Sequence, residues 1–309
     1  MAKYLAFSYS DSLPLRIYDQ LPSPLRISGE NDPEILLILR LLSGNAKLTH
    51  NYSKTTVKSR TNYFSGNFAP FQNWKKEFPQ LISEDTSVGD ISTFINCTKY
   101  ANRSFYSNIL AEISHFILHE KRGSHTSAFI YVYRILEKIS YAFPLIYASK
   151  TQDFLRSFNQ LKDLMTGSGE KKELGFFKTF VKTINKDDSI TDTSIDVKID
   201  ATYSDVQKQM FKAVREVIDD SVIHGDTTEF EKLSIKYCDM GGFIISVRNR
   251  FFHNLNGGAE NIESNKIVDS DELFRFINAA SMHWLSMVFL QVTHHSLSEF
   301  QRHRQDAAL

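Results

Sequence analysis

From Phe276 to Ser298 the chain runs 23 residues without an Asp, Glu, Lys or Arg. A stretch of that length has to be buried somewhere. A bilayer span needs about 20 apolar residues, so the membrane is the first possibility to weigh. Asn278, Ser281, His283, Ser286, Gln291, Thr293, His294 and His295 interrupt the run, and each polar group is costly in hydrocarbon. The segment therefore reads as the core or interface helix of a helical bundle, with no membrane association expected. Phe276, Ile277, Ala280, Trp284, Leu285, Val288, Phe289 and Val292 spread beyond one narrow stripe. A helix that is apolar on more than one side is buried on more than one side. The expectation is burial against its own bundle and against a second copy, through the helix Asp271 to about Arg302.

The rest of the chain has the means to surround such a helix. At 309 residues it has about two domains' worth of length and can bury a core without metals or disulfides. Hydrophobic residues make up 42% and charged residues 23%, which excludes a wholly disordered or low-complexity chain. From about residue 99 the apolar spacing is helical. One stripe is Phe105, Ile109, Ile113, Phe116 and Ile117. A second is Phe129, Val132, Tyr133, Leu136, Ile139 and Phe143, capped by Thr126 or Ser127 and ended by Pro144. A third is Phe154, Leu155, Phe158, Leu161, Leu164 and Met165, stopped by Gly167 and Gly169. A fourth is Leu174, Phe177, Phe180 and Val181. After an insertion at 185–203, in which Ile195 to Asp200 alternates like a strand, Ser204 caps a helix ended by Gly225. Thr228 and Glu231 stand at capping-box spacing and open a helical run toward Phe252, with Gly241-Gly242 as its weak point. Ser270 caps the last helix.

Residues 1–98 read as mixed. Tyr4 to Tyr9 and Leu15 to Tyr18 have strand character. Pro33 starts a helix over Glu34–Leu42, with Asp32 as N-cap and Gly44 as stop. Between 45 and 90, strand and loop cannot be separated by periodicity. The fold class is thus mainly α: a helical bundle over 99–309 behind a smaller mixed α/β N-terminal region over 1–98.

Lys+Arg and Asp+Glu both number 36. That balance argues against gripping long duplex DNA by phosphate neutralisation, while leaving room for a local basic patch. The two cysteines, Cys97 and Cys238, form no CxxC pair and fit a reducing compartment. With no signal-like apolar core at the start, a cytoplasmic location is expected.

The strongest constellation is Val247-Arg248-Asn249-Arg250-Phe251-Phe252-His253-Asn254. On a helix, Arg248 and His253 would lie about 140° apart around the axis and about 7.5 Å along it. Their long side chains can still meet one phosphate near the helix end. Asn249 adds a polar group beside the Arg, and Phe251 and Phe252 would anchor the opposite side. Arg supplies a planar, permanently charged fork suited to phosphate. His accepts a proton near neutral pH.

This arrangement resembles the R-x(4–6)-H motif of the HEPN superfamily of helical ribonuclease and nucleotide-binding domains, in the version where Asn, Asp or His follows the Arg. The resemblance covers roughly residues 99–309, and the run Tyr131-Val-Tyr-Arg134-Ile-Leu-Glu137 is similar to an early helix of such domains. It implies a metal-independent endoribonuclease, with Arg248, His253 and Asn249 as catalytic residues and no cofactor. The products would be a 2′,3′-cyclic phosphate and a 5′-hydroxyl. It further implies a homodimer, an RNA substrate such as tRNA, and a role as a toxin or anti-phage (abortive-infection) effector. An operon-encoded regulator or ATPase is the candidate partner, and residues 1–98 would sense a trigger or recognise substrate. The rival reading is a non-catalytic helical module that binds RNA, a nucleotide or a protein.

Arg134 and Glu137 fall among apolar residues, and a buried charge must be paired. They read either as an ion pair or as a support, with Glu137 orienting His253 or Arg248. Lys171, Lys172, Lys178 and Lys182 form a stripe that is either a solvated helix face or RNA-facing. Lys178 and Lys182, with Arg250, are the candidates for RNA contact. His115 and His119 have the i, i+4 spacing of zinc ligands, but no third ligand is evident and a packed helix face is the simpler reading; no metal is expected. Asp219, Asp220, His224 and Asp226 read as capping and turn chemistry. Thr166 to Gly169 lacks the Lys-Ser/Thr of a phosphate-binding loop.

Overall fold

The computed structural model describes residues 5–69, 71, 73–74, 77–150, 155, 158–159, 162, 173–185, 189–216, 218–253 and 261–306. They are mainly helical, with a small amount of sheet. The chain divides into two units. The first is Met1–Lys121 with Ser149–Thr151 and Ser286–Leu309, and the second is Arg122–Ala148 with Gln152–Leu285.

In the first unit, β1 (Phe7–Asp11), β2 (Ala46–His50) and β3 (Thr55–Lys58) form an antiparallel sheet in that order. Tyr9 pairs with Leu48, and Leu48 with Val57, so alternate residues on β2 and β3 turn inward. Leu15–Tyr18, expected as a strand, is instead the short helix α1. Pro14 pre-sets its φ, and its carbonyl accepts from both Ile17 and Tyr18 N–H, closing a helical turn. In α2 (Glu34–Leu42), every residue from Ile35 to Leu42 is buried. Asp32 does not cap this helix. Its carboxylate accepts from the N–H groups of Ser28 and Gly29 and from the Ser28 hydroxyl, while Pro33 occupies the N-cap. Gly44 does end the segment. Its φ is +78°, and a Cβ there would lie 2.9 Å from the Arg60 carbonyl carbon, so only glycine fits.

Helices α3 (Glu77–Ile82) and α4 (Val88–Thr98) follow. Ser87 and Asp90 form a reciprocal capping box at the start of α4. Helix α5 (Arg103–Lys121) contacts α2, and its buried Ser114 hydroxyl meets the Tyr9 hydroxyl at 2.9 Å.

The second unit opens with α6 (His125–Lys150), which runs through Pro144 rather than stopping there. Phe143, Pro144 and Ile146 are all buried, so packing on both sides of the proline holds the helix across its missing N–H. Its N-terminus is held from outside. The Thr126 N–H donates to the Asp271 carboxylate at 2.7 Å, which keeps that acid's pKa below the usual value. Of the third expected helix, Leu155, Phe158, Asn159 and Lys162 are helical, and the other apolar residues of that stripe lie outside the described residues.

Helix α7 (Glu173–Ile184) precedes β4 (Ser194–Lys198). β4 pairs antiparallel with β5 (Lys232–Lys236), with Ile195 opposite Ile235 and Val197 opposite Leu233. β5 corrects the expectation of helix from Thr228. The Thr228 N–H and the Lys232 carbonyl close a tight turn, and Leu233, Ser234 and Ile235 bury against their neighbours. Between the two strands, α8 (Ser204–Arg215) follows Tyr203, which stands at the N-cap in place of Ser204, and ends ten residues before Gly225.

Two helices complete the chain: α9 (Met240–Phe252) and α10 (Ser270–Asp306). Asp269, not Ser270, caps α10, accepting from Glu272 N–H at 3.1 Å. Helix α10 is long and apolar enough by length and composition to cross a membrane, but 78% of its most apolar stretch is buried within the protein. All eight apolar residues from Phe276 to Val292 on which a second-copy interface was expected are buried by the chain itself. No apolar side of that set is left over for a twin.

Candidate active site at the end of helix α9

Helix α9 is built differently at its two ends. Near its start, Gly241 lets it approach α10 closely, since a Cβ there would sit 3.1 Å from the Trp284 ring. Gly241-Gly242 therefore does not break the helix, and at Gly241 the missing side chain serves packing. Asp239 precedes the helix and pairs with Lys178 of α7. Lys182, one turn further along α7, acts electrostatically on the Cys238 thiol. That thiol is pushed up in pKa, chiefly by burial. Both lysines are thus placed by the start of α9.

The other end carries Arg248, Asn249, Arg250 and His253. Val247 is fully buried and fixes the rotation of the last turn. Arg248, Asn249 and Arg250 are half-buried, and His253 is exposed. His253 stands at the C-cap with extended backbone, and its N–H donates to the Asn249 carbonyl at 3.2 Å. The Arg250 carbonyl accepts from Ile262 N–H at 2.8 Å, which brings the chain back to the helix end. Phe251 and Phe252 pack against Phe274, at ring-centroid distances of 4.7 and 5.9 Å, and Phe129 closes the cluster 4.8 Å from Phe274. These aromatics anchor the turn that carries the candidate residues.

The Arg248 guanidinium is held from two sides. Its Nη1 donates to Asn249 Oδ1 at 2.9 Å, so Asn249 steadies the fork. Its Cζ lies 4.7 Å from the centre of the Tyr133 ring on α6, within cation–π range. Tyr133 in turn donates its hydroxyl to Glu137. Burial raises the Tyr133 pKa, with Arg248 opposing that shift and Glu137 adding to it. Glu137 thus reaches Arg248 through a tyrosine that the motif does not name. Arg134 and Glu137 are both exposed, which corrects the expectation of a buried pair. Their spacing on α6 placed them correctly in sequence, but the helix turns them outward. The i, i+4 relation of Tyr133 to Glu137 ties it only to its own helix, and nothing in the sequence links it to Arg248.

The structure gathers Arg248, Asn249 and, through Tyr133, Glu137. His253 follows directly at the helix end. Lys178 and Lys182 lie near the opposite end of α9, about 14 Å along the axis at 1.5 Å per residue. Among the described residues, no three His, Cys, Asp or Glu side chains gather as a metal cage. His115 packs edge-on against Phe7 at 4.8 Å, with His50 beside it. Asp219 caps a short turn at Ser221, Asp220 pairs with Arg215, and His224 meets Asp226, which is the capping chemistry expected of that cluster. A cleft lined by Ser83, Asp85, Thr86, Asp90, Gln301, Arg304 and Gln305 belongs to the first unit and contains none of the candidate residues.

No protein-family model, curated protein or solved structure matches the chain.

Proposed function

We propose that the protein is a metal-independent endoribonuclease of HEPN type, acting on RNA as a cytoplasmic toxin or anti-phage effector and working as a homodimer. The observation that carries this reading is a half-buried arginine fork, steadied by Asn249 and Tyr133, in the last turn of a helix that ends on an exposed histidine. In this role His253 takes the proton from a ribose 2′-hydroxyl. The freed 2′-oxygen attacks the adjacent phosphorus, and the bond from phosphorus to the 5′-oxygen breaks. Arg248 bears the charge that builds on the phosphoryl oxygens, where a planar charged fork is most effective. The 5′-oxygen leaves as a hydroxyl, taking up the proton that His253 accepted. The defence role rests on analogy with the superfamily.

RNA-end sequencing after induced expression of wild type and His253→Ala tests the reading directly. The expected result is a set of 5′-hydroxyl ends present only with wild type. Cleavage by the purified protein is expected to survive EDTA. Loss of cleavage in chelator with recovery on added metal would refute the metal-free chemistry. RNA binding with no cleavage at all would favour the non-catalytic module.

A further inference from the structure

Between Ala128 and Ala148, α6 is exposed at only five positions: Ile130, Arg134, Glu137, Tyr141 and Leu145. At 100° per residue these five fall within an arc of about 80°. A helix face meant for water is expected to be polar. Here Ile130 is 47%, Tyr141 50% and Leu145 55% exposed. Scattered exposed apolar residues need no explanation, but a line of them on one helix face does.

The first four positions have the 4-3-4 spacing of a coiled-coil seam, and they are self-complementary. Arg134 and Glu137 lie equally far on either side of a midpoint between Ile135 and Leu136. Ile130 and Tyr141 also lie equally far from it. Turning one copy of α6 about a two-fold axis through that midpoint sets Arg134 opposite Glu137 of the second copy, twice. The same rotation sets Ile130 opposite Tyr141. A parallel pairing would put Arg on Arg and Glu on Glu, so the charge order selects the antiparallel one. Contacts of this kind are isologous and close into a dimer.

We propose that a second copy of this chain packs antiparallel on the exposed stripe of α6, and that this stripe, not α10, is the dimer interface. If the ribonuclease reading holds, the pairing also bears on the site. Glu137 accepts from Tyr133, over which Arg248 lies, so both copies of this cluster come to the same seam.

Charge reversal in the full-length chain, read as mass by sedimentation velocity, tests the pairing. Wild type is expected to be dimeric at tens of micromolar. R134E sets Glu against Glu137 of the second copy, and E137R sets Arg against Arg134. Each is expected to raise the dimer Kd at least about tenfold, because facing like charges are costly at an interface. An equimolar mixture of R134E and E137R is expected to regain dimer mass, since one chain then presents two acids and the other two bases. Repair on mixing cannot come from refolding within one chain, and circular dichroism checks each variant's fold. A monomeric wild type, single variants that dimerise normally, or a mixture that stays monomeric would each overturn the proposal. The readout is mass, so a His253→Ala that dimerises and still cleaves RNA at the wild-type rate would sink the ribonuclease reading alone.

Discussion

Arg40 and Arg248 each hold a guanidinium against an aromatic ring, 4.9 Å from Trp74 and 4.7 Å from Tyr133. What surrounds them differs. Arg40 is completely buried, pairs with Asp11 at 2.5 Å, and donates to the carbonyls of Leu25 and Asn45. Arg248 is half-buried and donates to a neutral amide, and among the described residues no carboxylate pairs with it. A buried cation must be matched within the fold, and Arg40 uses its two terminal nitrogens to tie β1, α2 and the loops around them together, while its buried Nε has no partner among the described residues. Arg248 is held in direction by groups that, among the described residues, carry no opposing charge. The ring contact is shared, so it does not distinguish a scaffold arginine from one that can meet an outside anion. The partner of the charge does: a carboxylate for Arg40 and a neutral amide for Arg248.

The largest effect expected from this contrast is on catalysis. His253→Ala should slow RNA cleavage by about 10²–10⁴, the usual scale for removing a general base, and Arg248→Ala by about 10²–10³, the scale for removing one donor to a developing charge. Both should change unfolding free energy by less than about 1 kcal/mol, as for residues outside a core. Cleavage at the wild-type rate by either purified variant, with host nucleases excluded, would falsify the assignment. Next comes Arg40→Met, which strands Asp11 without its partner. Breaking a buried pair from one side costs about 3–5 kcal/mol, so denaturant unfolding should shift by that amount. Cleavage per folded molecule should remain. If Arg40→Met left stability intact while removing activity, the roles assigned to the two arginines would be reversed.

The same contrast runs along α9 on a smaller scale. Its start is committed to packing and its end is open. Gly241→Ala would push a methyl to 3.1 Å from the Trp284 ring, and overpacking of this kind costs about 1–3 kcal/mol. The expected result is a lower unfolding midpoint with unchanged KM. An equal loss from Gly242→Ala would refute the explanation by close approach, because a Cβ at Gly242 meets nothing within 4 Å.

How much of this was legible in the sequence depends on what set each feature. The long helices were, because a periodic apolar face is written into every turn. The unbroken burial of α2 and the uncharged run of α10 are cases. β4 was legible from its strict alternation. β5 was not, although Lys232-Leu-Ser-Ile-Lys236 alternates in the same way. The Thr228–Glu231 spacing looks like a helix cap, and only the partner strand decides between the two. Pro144 misled because a proline's local penalty is outweighed by burial on both sides. At the site, Arg248, Asn249 and His253 could be picked out together because they share one segment. Tyr133 could not, because it meets Arg248 across a hundred residues of chain and the contact exists only once α6 and α9 pack. The stripe on α6 was hidden for a related reason. Sequence shows which residues are apolar, but not which of them the fold leaves uncovered.

The smallest effect concerns the start of α6, the helix that presents Tyr133 to Arg248. Asp271 accepts the Thr126 N–H there, and that bond lowers its pKa. A carboxylate with a depressed folded pKa stabilises the fold above its unfolded value of about 3.9. That contribution is lost as pH falls through the lower folded value. Asp271→Asn should therefore cost about 0.5–1 kcal/mol at neutral pH, the scale of a lost helix cap. Its unfolding midpoint should converge with wild type once the pH falls below the lowered folded pKa, where both states are protonated. A gap that persists there would show that Asp271 acts by packing and not by charge. The window matters for the site as well. Asp271, with its pKa lowered below the usual carboxylate value by the Thr126 bond, keeps its charge throughout the neutral range. The neutral limb of a cleavage profile should thus be unchanged by Asp271→Asn. If that limb moved with the variant, the pH dependence of cleavage would be reporting the hold on α6 rather than proton transfer at His253.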